Sequence, residues 1–380
     1  MSVPIDWKSW CAPAHAPKWQ REAACIVRLY GTLELMPKIP AAELTRFCDS
    51  ILQGAGVPAE RAKIGADCLV ASNLRGVDSH GIQLLPFYVE QLLAGEVDAK
   101  ASGEVVSESG SVLVFDGQNA LGQWVAQQCC DHAIRIARAQ GVGFVTARES
   151  NHFGAAAWWA QKMRAQGMIG IVMCNASPIV PPWQGKQGRL GTNPICVSLP
   201  GPWLLDMATT TVAAGKIFKA HINGQPEIPA GWAFDTEGVP TTDTEKAYKG
   251  MLMPLGGYKG SGLAMMVEIL CAVLSGGAMA NELGGIRWRG TKVRVSQTYI
   301  AVDIARFMPV GEFTARVEKL VGIMKSTPTA PGYDEVMVAG DPEWRTEAER
   351  LENGVPIADG NWAELVKAAE KVGVAAPAVV

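Results

Sequence analysis

The spacing of apolar residues changes twice along this chain, and this change constrains the fold more than any other feature. Between about residues 36 and 104, apolar residues recur at helical spacing, as at Leu44, Phe47 and Ile51. From about Val105 onward, the apolar runs become short and are bounded by Gly, Pro or Asn, as strands are. Helical spacing returns after Gly256. The pattern predicts an α/β protein in which a strand-rich middle is inserted in a mostly helical domain built from both chain ends.

Individual elements follow from the same spacing. The strands are predicted at 112–116, 143–147, 169–174, 195–199, 204–207 and 297–303. The helices are predicted at about 40–52, 58–74, 83–94, 120–140, 155–167, 262–274, 310–324 and 362–372. We therefore predict a helical part over 36–104, an α/β part over 105–255, and a return to the helical domain over 256–380. One strand of the last part is expected to join the sheet of the middle part.

The first 35 residues differ from the rest because they show no sustained apolar period. Met36 then opens a regular helical unit, with Pro40 at a helix start. Two interpretations remain open for residues 1–35. They form an appended arm, or Met36 is the true start of the protein.

Composition excludes several classes of protein. Hydrophobic residues make up 48% and charged residues 19%, which excludes a disordered chain, and the net charge of −3 gives no nucleic-acid footprint. Nine scattered cysteines without a Cys-x-x-Cys pair indicate reduced thiols in the cytoplasm rather than disulfides or a zinc ribbon. No apolar run reaches the roughly 20 residues of a membrane span, and residues 1–10 do not have the pattern of a secretory signal.

Two of the five histidines stand where a predicted element ends. His152 lies in Ser-Asn-His-Phe-Gly at 150–154, and His80 lies in Asp-Ser-His-Gly at 78–81. Histidine has an unperturbed pKa near neutral pH, so it is well suited to general acid or base catalysis. The alternative is that each histidine is buried and only satisfies backbone groups.

Three segments have the composition of ligand-binding loops. The glycine-rich segment 256–262 contains Lys259 and precedes a helix, so it suits an anion such as a pyrophosphate, or else it is a tight turn with a solvated lysine. Residues 206–211 end a strand with a carboxylate and three hydroxyls, which suit ribose or phosphate oxygens, or else they cap the next helix. In the turn 191–194, Asn193 either holds a substrate or closes the turn.

The usual glycine fingerprint of a dinucleotide-binding Rossmann fold is absent. Gly141-Val142-Gly143 precedes a strand instead of following one, and Gly260-Ser261-Gly262 has Met265 where the third glycine belongs. The sequence motifs therefore do not support a Rossmann fold.

Eight short segments, in the same order, resemble the type-2 malate/L-lactate dehydrogenase family. The segments are Ser-His-Gly at 79–81, Ser-Asn-His-Phe-Gly at 150–154, Asn-Ala-Ser-Pro at 175–178, Leu-Gly-Thr-Asn-Pro at 190–194, Asp-Met-Ala-Thr at 206–209, Ile-Pro-Ala-Gly-Trp-Ala at 228–233, Pro-Thr-Thr at 240–242 and Gly-Tyr-Lys-Gly at 257–260. The resemblance spans about 36–373. The family includes ureidoglycolate, sulfolactate, diketogulonate and piperideine/pyrroline-2-carboxylate oxidoreductases, and the resemblance to it has the following implications. It implies a non-Rossmann nicotinamide-binding α/β fold and a homodimer with active sites at the subunit interface.

The resemblance also implies roles for individual residues. His152 and His80 match the catalytic histidines, with His152 our first choice as the general acid or base. The substrate contacts are expected from Ser79, Asn151, Asn193 and Leu84. The contacts to NAD or NADP are expected from Ala176, Ser177, Asp206, Met207, Ala208, Thr209, Thr210, Lys259, Gly260, Gly340, Asp341 and Pro342. The last three match loosely, because the family usually has Pro-Gly-Glu there. No metal is expected.

Leu84 is the main departure from the family pattern. Relatives usually have an arginine at this position, three residues after the glycine of Ser-His-Gly, where it pairs with the substrate carboxylate. A leucine cannot form that charge-assisted hydrogen bond. The substrate is therefore held in another way, or it is not a simple 2-hydroxy acid.

The sequence as a whole predicts a cytoplasmic NAD(P)-dependent oxidoreductase that interconverts a small 2-hydroxy acid and its 2-oxo acid by hydride transfer. One alternative is a reductase of a cyclic imino acid or a keto-sugar acid. A further alternative, from a different class, is a non-catalytic ligand-binding relative.

Overall fold

A seven-stranded mixed sheet is the largest layer of the structure, a computed structural model that describes residues 37–377. The prediction for residues 1–35 lies outside the described residues. The strands are β1 (Lys38–Ile39), β2 (Glu104–Ser109), β3 (Val112–Asp116), β4 (Val142–Ser150), β5 (Met168–Cys174), β6 (Ile195–Ser198), β7 (Leu204–Met207), β8 (Ala233–Phe234), β9 (Pro240–Thr241), β10 (Met251–Leu252), β11 (Val295–Asp303) and β12 (Val355–Pro356). The strand order in the large sheet is β2-β3-β4-β11-β5-β6-β7. Only the neighbours β3 and β4 are parallel in this sheet.

The α-helices hold more of the described residues than the strands do. They are α1 (Ala41–Gly54), α2 (Ala59–Leu74), α3 (Leu85–Leu93), α4 (Gly122–Gln140), α5 (Ala156–Arg164), α6 (Ala214–Ile222), α7 (Thr244–Lys249), α8 (Tyr258–Glu268), α9 (Val310–Lys325), α10 (Asp341–Asn353) and α11 (Asp359–Lys371). A π-helical stretch, Ile269–Val273, continues α8. Within residues 37–377, none of the helices combines the length and the apolar character that a membrane crossing requires.

The strand β11 lies at the centre of the large sheet although it comes from the last third of the chain. It pairs with β4 on one side and β5 on the other. Gln297, Thr298 and Tyr299 are fully buried there, because helices cover both faces of the sheet. The observed strand agrees with the expectation that a late strand joins the sheet of the middle segment.

The two largest of the apolar cores hold most of these layers together. One fills the space between the sheet and the helices α4 and α5 around Trp159 and Tyr299. The other packs α1, α2 and α3 against α11 around Leu44 and Leu365. The short pairing of β1 with β12 also joins the two ends of the chain. The mixed α/β class is confirmed by the structure, whereas the domain boundaries at 104/105 and 255/256 stay predictions.

Several elements begin elsewhere than predicted, or were not predicted. The helix α8 begins at Tyr258, four residues early, because Gly256 and Gly257 at positive φ make the turn before it. The helix expected over 83–94 begins as a 3₁₀ turn at Ile82–Leu84. The strand β2 was missed because all six of its residues are exposed, so no apolar run marks it. The helix α10 was missed because its surface is mostly polar.

Candidate active site

The two histidines singled out in the sequence lie together in the folded chain. His80 ends a 3₁₀ turn between α2 and α3, and His152 follows β4. Their ring centroids are 5.7 Å apart, and the ring planes are inclined by 26°. Both side chains are half-buried. Two imidazoles at this spacing can act on the same small substrate from one side.

His152 is held by two hydrogen bonds to one ring nitrogen. The Tyr88 hydroxyl lies 2.6 Å from Nδ1, and the backbone N–H of Gly154 donates to the same atom over 3.2 Å. A backbone N–H can only donate, so we assign Nδ1 as an acceptor and place the ring proton of the neutral form on Nε2. The free face of His152 therefore offers an N–H donor.

His80 has more freedom at its ring. Its Nδ1 lies 2.9 Å from the Ser79 hydroxyl, which can either donate or accept, so both neutral tautomers are compatible with the contact. The 3₁₀ turn that ends at His80 is held by side-chain hydrogen bonds, because Asn73 accepts from the backbone N–H of Ile82 and donates to Asp78. Arg350 from α10 also binds Asp78, over 2.7 Å. A fixed backbone thus carries a ring whose proton can change position.

Both histidines are neutral at pH 7. Burial, followed by the charge of Arg287, lowers the pKa of His80 to about 4. Burial, followed by the charges of His80 and Arg287, lowers the pKa of His152 to about 3. Arg287 is a cation beside both rings that no sequence motif indicated.

Neighbouring elements fix the backbone of the His152 segment through hydrogen bonds and close packing. Gln297 of β11 donates to the Asn151 carbonyl over 3.0 Å, and the Asn151 amide donates to Ala120 over 2.8 Å. A Cβ on Gly122, at the start of α4, would lie 2.3 Å from the carbonyl oxygens of both Asn151 and His152. Asn151 is buried, so its amide serves the backbone more than it faces a substrate.

The structure brings two of the predicted cofactor segments, 206–211 and 256–262, together. Leu255, in the loop before α8, donates to the carbonyl of Thr209 over 2.9 Å, and Thr210 pairs with Pro254. A Cβ on Gly260 would lie 2.7 Å from the Thr209 carbonyl, so only glycine allows this approach. Lys259 is exposed in the first turn of α8. The hydroxyls of Thr209 and Thr210 donate to backbone carbonyls, so they do not point outward as the sequence suggested.

Asn193 belongs to a buried network. Its amide donates to Glu268 over 3.0 Å and to the Ala264 carbonyl, and its oxygen accepts from Ala176. It is fully buried, so the geometry favours the turn-closing role over contact with a substrate. Ser177, next to Ala176, donates to the Gly284 carbonyl. The network ties the glycine-rich loop region to the segment that leads to Arg287.

Asp206 lies on β7, and the segment 340–342 follows Ala339, whose carbonyl accepts from the backbone N–H of Leu204 in the same strand. Asp206 accepts from the backbone N–H of Ala157 at the start of α5, over 2.9 Å, so it serves that helix and not α6. Its side chain keeps exposed surface, although the protein packed around the carboxyl raises its pKa to about 6. Gly340 and Asp341 form the start of α10, and the Asp341 carboxylate binds Lys325 and the Val338 N–H. That carboxylate is therefore engaged within the chain.

Leu84 does not occupy a substrate-facing position. It is 3% exposed and packs in the helical core with α1, α3 and α11. This burial does not favour the apolar substrate contact that the sequence suggested for it. Sequence reasoning also missed Tyr88, which contacts His152 from one turn into α3. Only the fold brings Tyr88 and Arg287 to the histidines.

Two neutral imidazoles 5.7 Å apart make an arrangement suited to proton transfer in a dehydrogenase or reductase. Comparison with known proteins identifies the family. Residues 39–366 match the family model described as malate/L-lactate dehydrogenase. A malate dehydrogenase of Pyrococcus horikoshii is 38% identical over 348 residues, covering 89% of this chain and 96% of the relative.

Solved structures agree with the sequence match. The sulfolactate dehydrogenase of Methanocaldococcus jannaschii superposes with a TM-score of 0.83 at 35% identity, covering 89% of this chain and 98% of that one. The Pyrococcus horikoshii malate dehydrogenase structure also has a TM-score of 0.83, at 36% identity, covering 90% and 97%. The chain belongs to the malate/L-lactate dehydrogenase family and is an oxidoreductase. The family implies a nicotinamide cofactor.

Proposed function

We propose that this protein interconverts a small 2-hydroxy acid and its 2-oxo acid, using NAD or NADP, in the cytoplasm. The pair of neutral histidines 5.7 Å apart, with different hydrogen-bond constraints on their rings, is the observation that carries the proposal. The names of the relatives, malate and sulfolactate dehydrogenases, support the substrate class. The described cysteines are free and buried, which supports a reducing compartment.

The two histidines are assigned different roles. His152 offers an N–H at Nε2, so it binds and polarises the substrate oxygen. His80, with either tautomer open to it, takes the hydroxyl proton in oxidation and returns it in reduction. This reverses the order of preference that the sequence suggested, because the Gly154 N–H contact restricts His152 and nothing comparable restricts His80.

The donor set of the predicted cofactor segments fits a dinucleotide. Lys259 and the N-terminal turn of α8 present positive charge to a pyrophosphate, and the half-buried Met207 and Ala208 line the approach from β7. The Asp206 carboxyl has the exposure to accept from a ribose hydroxyl. The nicotinamide ring, when bound, gives or receives the hydride of the reaction. The protein residues position the substrate, exclude water and move the proton.

A homodimer is the proposed assembly, with the active sites at the subunit interface. An apolar stripe along α8 and its π-helical extension is exposed in the single chain. Its members are Tyr258, Met265, Met266, Ile269, Val273 and Leu274, each at least 39% exposed. Exposed apolar surface of this kind marks an interaction site. We expect Ile269→Glu to shift the mass measured by light scattering toward the monomer, while Leu351→Glu, at an exposed leucine on α10, leaves it unchanged.

The substrate class is tested by absorbance of the reduced cofactor. Purified protein is mixed with NADH or NADPH and a panel of 2-oxo acids, a keto-sugar acid and a cyclic imino acid. We expect turnover of at least one 2-oxo acid, at a rate that His80→Gln lowers. Turnover of the cyclic imino acid alone would support the reductase alternative. No turnover with any member, despite tight binding of the cofactor, would support a non-catalytic relative.

A further inference from the structure

Arg287 lies between two elements that frame the histidines. Its guanidinium carbon is 5.3 Å from the ring centroid of Phe87 and 4.5 Å from that of Phe218. Phe87 belongs to α3 and precedes Tyr88, which contacts His152. Phe218 belongs to α6. The arginine therefore bridges two helices that come from distant parts of the chain.

The helix α6 also approaches the other histidine. A Cβ on Gly215, one turn before Phe218, would lie 3.3 Å from the Cβ of Ser79, the residue before His80. The cation on Phe87 and Phe218 is thus placed at the opening between the His80 turn and the His152 turn. Its electrostatic effect on both rings agrees with that position, since its charge lowers the pKa of each.

The charge of Arg287 is not matched within the described part of the chain. No carboxylate of residues 37–377 lies within ion-pair distance of it. Arg289, two residues later, also lies over Phe87, but it forms an ion pair with Glu90. The surrounding protein lowers the pKa of Arg287, so its charged form lacks full compensation. An unpaired guanidinium at a catalytic opening is suited to a carboxylate ligand, which it can bind through two parallel hydrogen bonds.

We propose that Arg287 binds the carboxylate of the substrate, a role for which Leu84 has no charged group. This inference rests on the proposed function, since it names the residue that recognises the acid group. It accounts for a chain that has leucine in place of the usual arginine and buries that leucine in the helical core. It also restricts the substrate class to acids with a free carboxylate beside the reacting carbon.

The role of Arg287 is tested by measuring reduction of the most active 2-oxo acid of the panel and of its methyl ester. Arg287→Gln is compared with Arg289→Gln, a matched control from the same loop whose charge is already paired. A charge-assisted pair predicts that Arg287→Gln lowers kcat/KM for the acid by about 10- to 150-fold, mainly through KM. The ester should change less than about 3-fold, and Arg289→Gln should leave both within about 3-fold.

The possible outcomes separate the two proposals. Equal losses on acid and ester, or no loss on the acid, would overturn the role of Arg287 while leaving the dehydrogenase intact. A wild type that reduces no 2-oxo acid overturns the proposed function itself. If Arg287→Gln fails to fold, the salt dependence of kcat/KM in the wild-type enzyme tests the pairing instead. Rising ionic strength should lower kcat/KM for the acid and not for the ester, and a parallel response would contradict the pairing.

Discussion

Two regions of the site are built in different ways. The histidine wall, made of His80, His152 and Tyr88, is half-buried or buried, and internal hydrogen bonds hold it from several elements. The cationic rim, made of Lys259 and Arg287, is exposed, and no carboxylate of residues 37–377 pairs with either charge. The hydrogen bonds of the histidine wall form without a ligand. The charges of the cationic rim gain a partner only when an anion binds.

This difference follows from the task of each region. A group that moves a proton must be held at a fixed distance from the reacting oxygen. Hydrogen bonds that fix its position therefore favour catalysis. A group that captures an anion works best with its charge unpaired, because an internal partner would compete with the ligand. Changes in the wall should therefore lower turnover, while changes in the rim should lower affinity.

The largest effect is expected from exchanging the wall histidines for glutamine. His80→Gln removes the group that takes the proton, and kcat should fall by roughly 10²- to 10⁴-fold. His152→Gln keeps an N–H donor near the position of Nε2, so it should retain clearly more activity than His152→Ala. Steady-state rates at saturating cofactor test both statements. Equal losses for His80→Gln and His152→Gln would remove the division of roles.

The backbone under the wall should be nearly as sensitive. Gly122→Ala places a Cβ 2.3 Å from two carbonyl oxygens of the His152 segment, so the backbone must shift. We expect the free energy of unfolding to fall by about 1–3 kcal/mol and kcat to fall with it. Gly311→Ala, in α9 with no atom near its new Cβ, is the control and should be neutral or slightly stabilising. Urea unfolding and kcat for both variants decide, and full activity of Gly122→Ala would show that the wall tolerates movement.

A smaller effect is expected at the rim. Lys259→Ala should weaken cofactor binding by about 10-fold, the size expected of one charge-assisted contact, with kcat at saturation nearly unchanged. Lys249→Ala is the control, because that exposed lysine is paired with Glu245. Calorimetric titration with NADH and NADPH measures both, and unchanged affinity for Lys259→Ala would remove this residue from the cofactor site.

The smallest effect is a slope in stability with pH. The pKa values of His80 and His152 lie below 6.5 in the folded chain, so the unfolded chain binds more protons in that range. Their contribution is present above pH 6.5 and is lost as the pH falls toward about 4 and 3. Asp206, with its pKa raised to about 6, acts in the opposite direction between pH 3.8 and 6. The test therefore compares urea midpoints at pH 7.5 and 5.0 in the wild type and in a His80→Gln, His152→Gln double variant, which should lose less on acidification.

Much of the wall and of the sheet could be predicted from local pattern. The strands 112–116 and 204–207 have the predicted bounds, because each buries an apolar run between turn residues. His80 and His152 were found because the linear sequence alone shows that histidine is scarce and that both residues stand near glycine at the ends of predicted elements. The helix α10 and the strand β2 were not found, because solvent-facing elements lack the apolar period on which such predictions depend.

The sequence by itself determined the family, the mixed α/β class and the two histidines, since these depend on short segments and on the spacing of apolar residues. Only the tertiary structure decided which ring nitrogen of His152 is free, that Asn193 closes a turn and that Leu84 is buried. The same holds for Arg287, which is 135 residues beyond His152 in the chain and acts beside it in space. Hydrogen-bond partners and electrostatic neighbours are set by distance in three dimensions, and local sequence carries no record of that distance.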